Sequence, residues 1–249
     1  MTLVRYLFVV FCCYNIIFAK AESFINITDL SSEKSKYEET LINRQLGLHK
    51  MNGYTLIDST SAIIIIHGYY TEKWDKKGYE WVDPIIELSK LSTPMWFYRY
   101  DWNLCPDELS IDLKDHIKIF IQENIQIDSI LILGHSLGGL IVTHFSEIWD
   151  EDYPLGVYAI ASGLKNKRRL KNSCTFLGKN QYFINKNIGY TQWRTVKKID
   201  GVFKNYLFDP QNVKINNGNY VDLPSNWNGK RLGHNYSILY VANQLRLKN

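Results

Sequence analysis

One serine lies between two glycines in a pattern that suits nucleophilic chemistry. The segment Gly134-His135-Ser136-Leu137-Gly138 has the form G-x-S-x-G. The residues before it form a short apolar run, and the apolar residues after it recur at helical spacing. In such a strand-turn-helix unit the glycines let the backbone reverse sharply, so the central hydroxyl is exposed at the strand end. The pattern predicts that Ser136 is a nucleophile. The alternative is a serine that only caps the following helix.

A serine hydroxyl is a weak nucleophile and needs a base to take its proton. The sequence holds six histidines. His234 follows a turn-rich segment and precedes the last predicted helix, a position from which it can reach over the end of a sheet. We predict that His234 is the base; the alternative is a histidine that binds a loop carbonyl at a helix start. His67 ends an apolar strand beside a glycine, where we expect it to brace the following loop.

The acid that orients the base has three candidates between the serine and the histidine. Asp200 directly follows a predicted strand and is succeeded by a glycine, so its carboxylate can turn toward the histidine. Asp209 and Asp222 come just before prolines, a context that is typical of turns. Asp200 is therefore the favoured acid, with Asp222 and Asp209 as alternatives.

Acyl transfer also requires hydrogen-bond donors for the negative oxygen that forms. The backbone N–H of Leu137, at the start of the helix, and that of Tyr69, in the loop after the first long strand, are the predicted donors of this oxyanion hole. Three nearby aromatic residues, Tyr70, Trp74 and Trp81, are candidate substrate contacts. Packing beneath the loop is the alternative role for these rings.

The segments that position these residues alternate between strand and helix. Helices are predicted to begin near Asp83, at Pro106 and after Ser136, and a last helix closes the chain. Strands are predicted at 54–58, 62–66, 94–102, 128–133, 155–161 and 190–196. This alternation favours βαβ units, and therefore one domain with a parallel sheet covered by helices on both faces.

Several motifs occur together in a familiar order. They are Ile65-Ile66-His67-Gly68-Tyr69, Tyr100-Asp101-Trp102, Gly134-His135-Ser136-Leu137-Gly138-Gly139, Asp200-Gly201-Val202 and Gly233-His234-Asn235. Over roughly residues 60 to 249 the chain resembles the lipase-like branch of the α/β-hydrolase superfamily, which includes inositol-deacylase and lecithin–cholesterol acyltransferase relatives. The resemblance implies the α/β-hydrolase fold, with a mostly parallel central sheet and helices on both faces. Only a small cap, or none, is expected, with a short cap-like insertion at about 163–188.

The resemblance also implies an activity. It implies a serine hydrolase that cleaves carboxylic esters through an acyl-enzyme, with lipid acyl esters as the expected substrates and no metal or organic cofactor. The implied triad is Ser136, Asp200 and His234. An acyltransferase or thioesterase with the same triad, or a non-catalytic binding protein on the same fold, is the alternative. The aromatic loop and a basic run at 165–171 are compatible with contact with a membrane surface, although a solvated loop is the favoured interpretation of the basic run.

The amino end has the form of a signal peptide. Arg5 precedes an apolar stretch, and small residues follow it at 19 and 21. A run of roughly 15 apolar residues is short for a membrane helix, although an uncleaved anchor remains the alternative. We expect residues 1–21 to be removed and 22–249 to fold as a single domain. The protein is then secreted or exported, to an extracellular, periplasmic or luminal compartment.

The net charge and the cysteines indicate which partners and which disulfide the chain could have. The chain has 29 lysines and arginines against 25 acidic residues, a formal charge of +4. This excess is too small to predict a nucleic-acid partner. Outside the expected signal, Cys105 and Cys174 are the remaining cysteines. An oxidising compartment permits one disulfide between them, but the sequence leaves their pairing open.

Overall fold

The computed structural model describes residues 24–30, 37–57, 60–165, 174 and 178–248. The predicted signal peptide and most of the basic run at 165–171 lie outside the described residues. Among the helices of the described ranges, none is both long and apolar enough to cross a bilayer.

The described ranges contain twelve strands, and eight of them form the sheet at the centre of the molecule. The strands in chain order are β1 (Ile25–Asn26), β2 (Gly47–Asn52), β3 (Ser61–Ile66), β4 (Met95–Arg99), β5 (Ser129–His135), β6 (Leu155–Ile160), β7 (Gln181–Phe183), β8 (Ile188–Arg194), β9 (Lys214–Asn216), β10 (Asn219–Asp222), β11 (Asn226–Trp227) and β12 (Lys230–Arg231). The central sheet has the order β1-β2-β4-β3-β5-β6-β8-β10. Only the pairing of β2 with β4 is antiparallel among the seven pairs of this described sheet. The predicted, mostly parallel sheet is therefore confirmed.

Four helices cover the two faces of this sheet. They are α1 (Tyr79–Ser89), α2 (Pro106–Glu123), α3 (Leu137–Ile148) and α4 (Tyr236–Lys248). On one face α2 packs against α3, and on the other α1 packs against α4. The helices thus lie on both faces, as predicted.

Strand β3 shows why helices must pack on both faces of the sheet. Ile64 and Ile66 belong to the core beneath α2 and α3, whereas Ile63 and Ile65 belong to the core beneath α1 and α4. Because successive side chains of a strand point to opposite faces, a strand buried on both faces must be apolar throughout. The unbroken isoleucine run is the sequence signature of that position.

Two predicted elements differ from the structure. The strand expected at 54–58 lies earlier, at Gly47–Asn52, where polar residue types hide an alternation that buries His49 and Met51. Helix α1 begins at Tyr79 rather than near Asp83, and it contains Pro84. A proline is more typical of the first turn of a helix, because inside a helix it removes one backbone hydrogen bond, and this is why the start of α1 was predicted too late.

A disulfide and a strand pairing are among the contacts that join the predicted insertion at 163–188 to the domain. Cys105 and Cys174 form a disulfide, with their Cα atoms 5.4 Å apart, and this links the start of α2 to the insertion. Further along, β7 pairs in parallel with β9 in a separate two-stranded sheet. The disulfide that the sequence left open is therefore present; a cap role for this segment stays a prediction.

Candidate active site

Ser136 occupies a sharp corner between β5 and α3. Its backbone has φ 55° and ψ −112°, a conformation that side-chain-bearing residues seldom adopt. A Cβ added at Gly134 would lie 2.5 Å from the main-chain oxygen of Gly138, and one at Gly138 would collide with the main-chain oxygens of Ile66 and His67. The G-x-S-x-G spacing is thus required by close backbone contacts on both sides of the serine.

The structure brings the three predicted triad residues together. His234 Nε2 lies 2.9 Å from Ser136 Oγ, and His234 Nδ1 lies 3.0 Å from Asp200 Oδ2. Asp200 is fully buried and His234 is 8% exposed. A carboxylate on the Nδ1 side favours the tautomer with its proton on Nδ1, which leaves Nε2 free to accept the serine proton. The arrangement can therefore activate the hydroxyl.

Asp200 is held as an anion. Its Oδ2 also accepts a hydrogen bond of 2.5 Å from the Thr195 hydroxyl, and its Oδ1 accepts the N–H groups of Val202 and Phe203 at 2.8 and 3.0 Å. Burial acts to raise the pKa of Asp200. His234 opposes this effect through its hydrogen bond and its charge, and Thr195 and the Val202 N–H oppose it through their hydrogen bonds. Together they outweigh burial and lower the pKa of Asp200 below its usual value. The carboxylate is thus suited to orient His234.

The two alternative acids have other surroundings. Asp209 Oδ1 accepts the N–H of Gln211 at 3.0 Å, so it stabilises a turn as its context suggested. Asp222 is exposed at the end of β10, where it lies in register with Arg194. Because His234 pairs with Asp200, the geometry favours Asp200 among the three candidates.

The main chain of His234 is fixed as firmly as its ring. Its carbonyl oxygen accepts a hydrogen bond from Ser237 Oγ at 2.6 Å and another from His135 Nε2 at 3.2 Å. Burial, followed by the nearby charge of His234, lowers the pKa of His135 well below its ordinary value, so this ring is neutral. Neither of these two bonds can be predicted from the sequence alone, since the His135 contact joins segments that are far apart in the chain and the Ser237 contact exists only once the start of α4 is placed.

The predicted oxyanion loop lies against the serine. A Cβ at Gly68 would be 3.2 Å from Ser136 Cβ, which is tighter than most such contacts. Tyr69 and Leu137 line the same cavity as Ser136. As the first residue of α3, Leu137 has an N–H without a partner inside its helix. Both residues are thus placed beside the serine; donation to an oxyanion stays a prediction.

His67 forms the base of that loop. It is fully buried, its Nδ1 donates to the carbonyl of Gly68 at 2.8 Å, and its ring stacks on Tyr100 at a centroid distance of 4.1 Å. The Tyr100 hydroxyl donates in turn to the His67 carbonyl at 2.7 Å. Burial is the main cause that lowers the pKa of His67 to about 3. His67 is therefore a neutral brace for the loop, as the sequence suggested.

A cavity of about 700 Å³ opens at Ser136. Glu80 and Arg231 are the charged residues in its wall besides the triad members named above. Aromatic side chains supply much of the remaining wall: Tyr69, Tyr70, Trp74, Phe203, Tyr206 and Tyr236. Apolar pockets with a few convergent polar groups are typical ligand sites.

Of the three predicted aromatic contacts, two line this cavity and one does not. Trp74 is 45% exposed in the wall, and Tyr70 lies deeper. Trp81 is fully buried in the core between α1 and the sheet, so its assignment as a substrate contact was wrong. The reason is the earlier start of α1, which places Trp81 on the inner face of a helix rather than in a loop.

Within the part of the chain that the structure describes, histidine, cysteine, aspartate and glutamate side chains form no group of three or more that could hold a metal ion.

Comparisons with solved structures place the fold. The chain is similar to LpqC, a poly(3-hydroxybutyrate) depolymerase from Bordetella parapertussis, with a TM-score of 0.52, 11% identity, and coverage of 81% of this chain and 83% of that one. It is also similar to Est1E from Butyrivibrio proteoclasticus, with a TM-score of 0.50, 11% identity and coverage of 77% and 89%. The Pyrococcus furiosus esterase Pf2001 matches with a TM-score of 0.50, 14% identity and coverage of 76% and 79%. The chain therefore has the α/β-hydrolase fold, as its motifs suggested.

Comparisons by sequence add nothing to this. No protein-family model matches the chain. No curated protein matches it either.

Proposed function

We propose that this protein is a serine hydrolase that cleaves carboxylic esters through an acyl-enzyme. The observation that carries the proposal is the hydrogen-bonded series Ser136, His234 and Asp200, of which Ser136 and His234 line a cavity of about 700 Å³. A fold by itself does not define a function, so the proposal rests on this site. Two of the structural neighbours, the depolymerase LpqC and the esterase Pf2001, agree with it.

The mechanism follows from the positions of the atoms. Ser136 Oγ attacks the ester carbonyl while His234 Nε2 takes the hydroxyl proton, and Asp200 stabilises the imidazolium that forms. The N–H groups of Tyr69 and Leu137 donate to the developing oxyanion. His234 then gives the proton to the leaving alcohol. Water, activated by the same imidazole, attacks the acyl-enzyme and releases the acid.

The proposed substrates are lipid acyl esters. The aromatic lining of the cavity suits an acyl chain, and exposed apolar residues lie in its wall or follow the lining residue Tyr206 in the chain. We call these residues the apolar rim: Tyr69, Trp74, Val202, Leu207 and Phe208. Lys204 lies between Val202 and Leu207 in the chain, and Lys165 Nζ is 5.8 Å from the centroid of the Phe208 ring. Apolar side chains among lysines are suited to an anionic lipid surface.

Export from the cytosol completes the proposal. It is supported by the signal-like amino end and by the Cys105–Cys174 disulfide, because such bonds persist mainly in oxidising compartments.

Labelling with a fluorophosphonate tests the nucleophile. The purified protein should be labelled at one site, and Ser136→Ala should abolish the labelling. Ser89→Ala, at the end of α1, serves as the control and should be labelled like the wild type. Equal labelling of Ser136→Ala and the wild type would overturn the proposal.

The substrate class needs a second measurement. Rates on a series of p-nitrophenyl esters of increasing acyl length should rise toward long chains if lipids are the substrates. A series that favours acetate would contradict this part. Added acceptor alcohol should leave the acid as the main product, whereas accumulation of a new ester would indicate an acyltransferase.

A further inference from the structure

Glu80 is a buried carboxyl in the wall of the active-site cavity. It lies in the first turn of α1, is 8% exposed, and lines the cavity together with Ser136 and His234. The mechanism above gives it no part. Burial of a carboxyl is costly unless hydrogen bonds compensate for the lost water, so its partners indicate its purpose.

The side-chain partner of Glu80 is Tyr70. The Tyr70 hydroxyl donates to Glu80 Oε1 at 2.5 Å, and this tyrosine is itself buried. Burial, with the charge of Glu80 next, raises the pKa of Tyr70 well above its usual value, so the hydroxyl remains a donor. The Tyr70 ring stacks on His67 at 5.3 Å and meets Trp102 edge-on at 5.2 Å. Glu80 therefore fixes a residue of the loop that follows β3.

The first four residues of that loop, 67–70, form a segment that is anchored at both ends. At its start, the Tyr100 hydroxyl donates to the main-chain carbonyl of His67, and at its end the Glu80 carboxylate accepts the Tyr70 hydroxyl. Between these anchors lie Gly68, which is packed against Ser136, and Tyr69. The Tyr69 side chain is 42% exposed and gives the loop less anchorage than its neighbours do. The position of the Tyr69 N–H therefore depends on both anchors.

We propose that Glu80 is a positioning residue, which acts through the Tyr70 hydroxyl to hold the Tyr69 N–H at the oxyanion. This inference rests on the proposed function. Loss of the anchor lets the loop move away from Ser136, and the oxyanion loses part of its stabilisation. Interactions made only in the transition state affect kcat rather than KM. The inference thus has a kinetic signature that general destabilisation lacks.

The test compares four variants with a matched control. The variants are Glu80→Ala, Glu80→Gln, Tyr70→Phe and the double variant Tyr70→Phe/Glu80→Ala. The control is Glu87→Gln, because Glu87 is on the same helix and is equally buried, but it bonds to Lys90, Asn243 and Arg246 on the side facing α4. For each protein we would measure kcat and KM on one soluble short-chain ester, the fluorophosphonate labelling rate and the thermal unfolding temperature. All kinetics are measured well below the lowest unfolding temperature.

The inference predicts a specific pattern. Glu80→Ala and Tyr70→Phe should each lower kcat by about tenfold to hundredfold, somewhat less than the complete loss of an oxyanion donor, with KM changed less than about threefold. The double variant should be no slower than either single variant, because both remove one interaction. Glu80→Gln keeps an acceptor for Tyr70 and should retain kcat within about threefold of the wild type. Glu87→Gln should lower only the unfolding temperature.

Other results would overturn it. An unchanged kcat in Glu80→Ala, losses that multiply in the double variant, or a Glu80→Gln as slow as Glu80→Ala would each exclude an anchor that acts through Tyr70. These outcomes presuppose a wild type whose labelling requires Ser136. If labelling does not require Ser136, the proposed function fails, and this inference fails with it.

Discussion

Thr195 and Asp200 form one of the shortest contacts in the site: the Thr195 hydroxyl donates at 2.5 Å to the same carboxylate oxygen that faces His234. Two backbone N–H groups, of Val202 and Phe203, hold the other oxygen. The carboxylate is therefore fixed from both sides and cannot rotate away from the imidazole.

Asp200→Asn should lower kcat by roughly 10³-fold to 10⁴-fold, because an amide in this position favours the wrong tautomer of His234. His234→Ala should cost roughly 10³-fold or more for lack of a base. Steady-state rates on a soluble ester provide the measurement. Asp209→Asn and Asp222→Asn are matched controls, and a larger loss at either position would show that Asp200 is not the acid.

Two buried histidines should make the protein sensitive to mild acid. The pKa of His67 is lowered to about 3 and that of His135 also falls, both chiefly through burial. Below about pH 6.5 these two imidazoles bind protons in the unfolded chain but not in the folded protein. The free energy of unfolding therefore falls as the pH falls. For His67 this should cost about 2 kcal/mol of unfolding free energy between pH 7 and pH 5, and His135 should lower the stability in the same direction.

His67→Phe tests this, because it keeps a ring beside Tyr100 but removes the titrating group. Urea unfolding at pH 7, 6 and 5 should show a smaller loss of stability with falling pH in the variant than in the wild type. Parallel curves for the two proteins would mean that His67 does not titrate between the folded and unfolded states in this range.

The disulfide should contribute strongly to stability. Cys105 and Cys174 are 69 positions apart, and closing a loop of that length stabilises the folded state by about 4 kcal/mol in the chain-entropy model. We expect the double variant Cys105→Ala/Cys174→Ala to lose about 2 to 4 kcal/mol of unfolding free energy. Denaturant titration measures the loss, and reduction of the wild type should reproduce it. An unchanged midpoint would show that the bond adds no stability.

The apolar rim should bind lipid surfaces. Leu207 is fully exposed on one of its loops, so Leu207→Ser should weaken binding to vesicles that contain anionic lipid, by about threefold to tenfold for one buried leucine at a membrane interface. Co-sedimentation with vesicles measures the binding. Ile125→Ser, at an exposed apolar residue outside the rim, is the control. Equal binding by the wild type and Leu207→Ser would argue against this surface.

Local patterns in the sequence were sufficient for most of the fold. The isoleucine run of β3 predicts a strand buried on both faces, and the apolar spacing after Pro106 predicts α2, because each is a periodicity within one segment. The serine corner is equally local, since its glycines and nucleophile lie within five residues. Its partner His234 could be predicted because the chain has only six histidines and this one lies in a loop before the last helix.

Contacts between distant segments could not be found in this way. Thr195, His135 and Ser237 act on the triad through bonds that exist only after the sheet and helices are assembled. Glu80 looks like an ordinary polar residue of a first helical turn. Trp81 was misplaced because a proline in the sixth position of α1 concealed where that helix starts.

The left-handed backbone of Ser136 has a consequence for engineering. Glycine tolerates the positive φ of this corner more readily than a residue with a Cβ does. The unfolding free energy of Ser136→Gly should therefore exceed that of Ser136→Ala by about 1 kcal/mol, and its unfolding temperature should be higher. Both variants lack the hydroxyl. A selection for heat resistance alone would therefore drift toward inert proteins at this position, and any library built on this scaffold should be screened for turnover as well as for melting temperature.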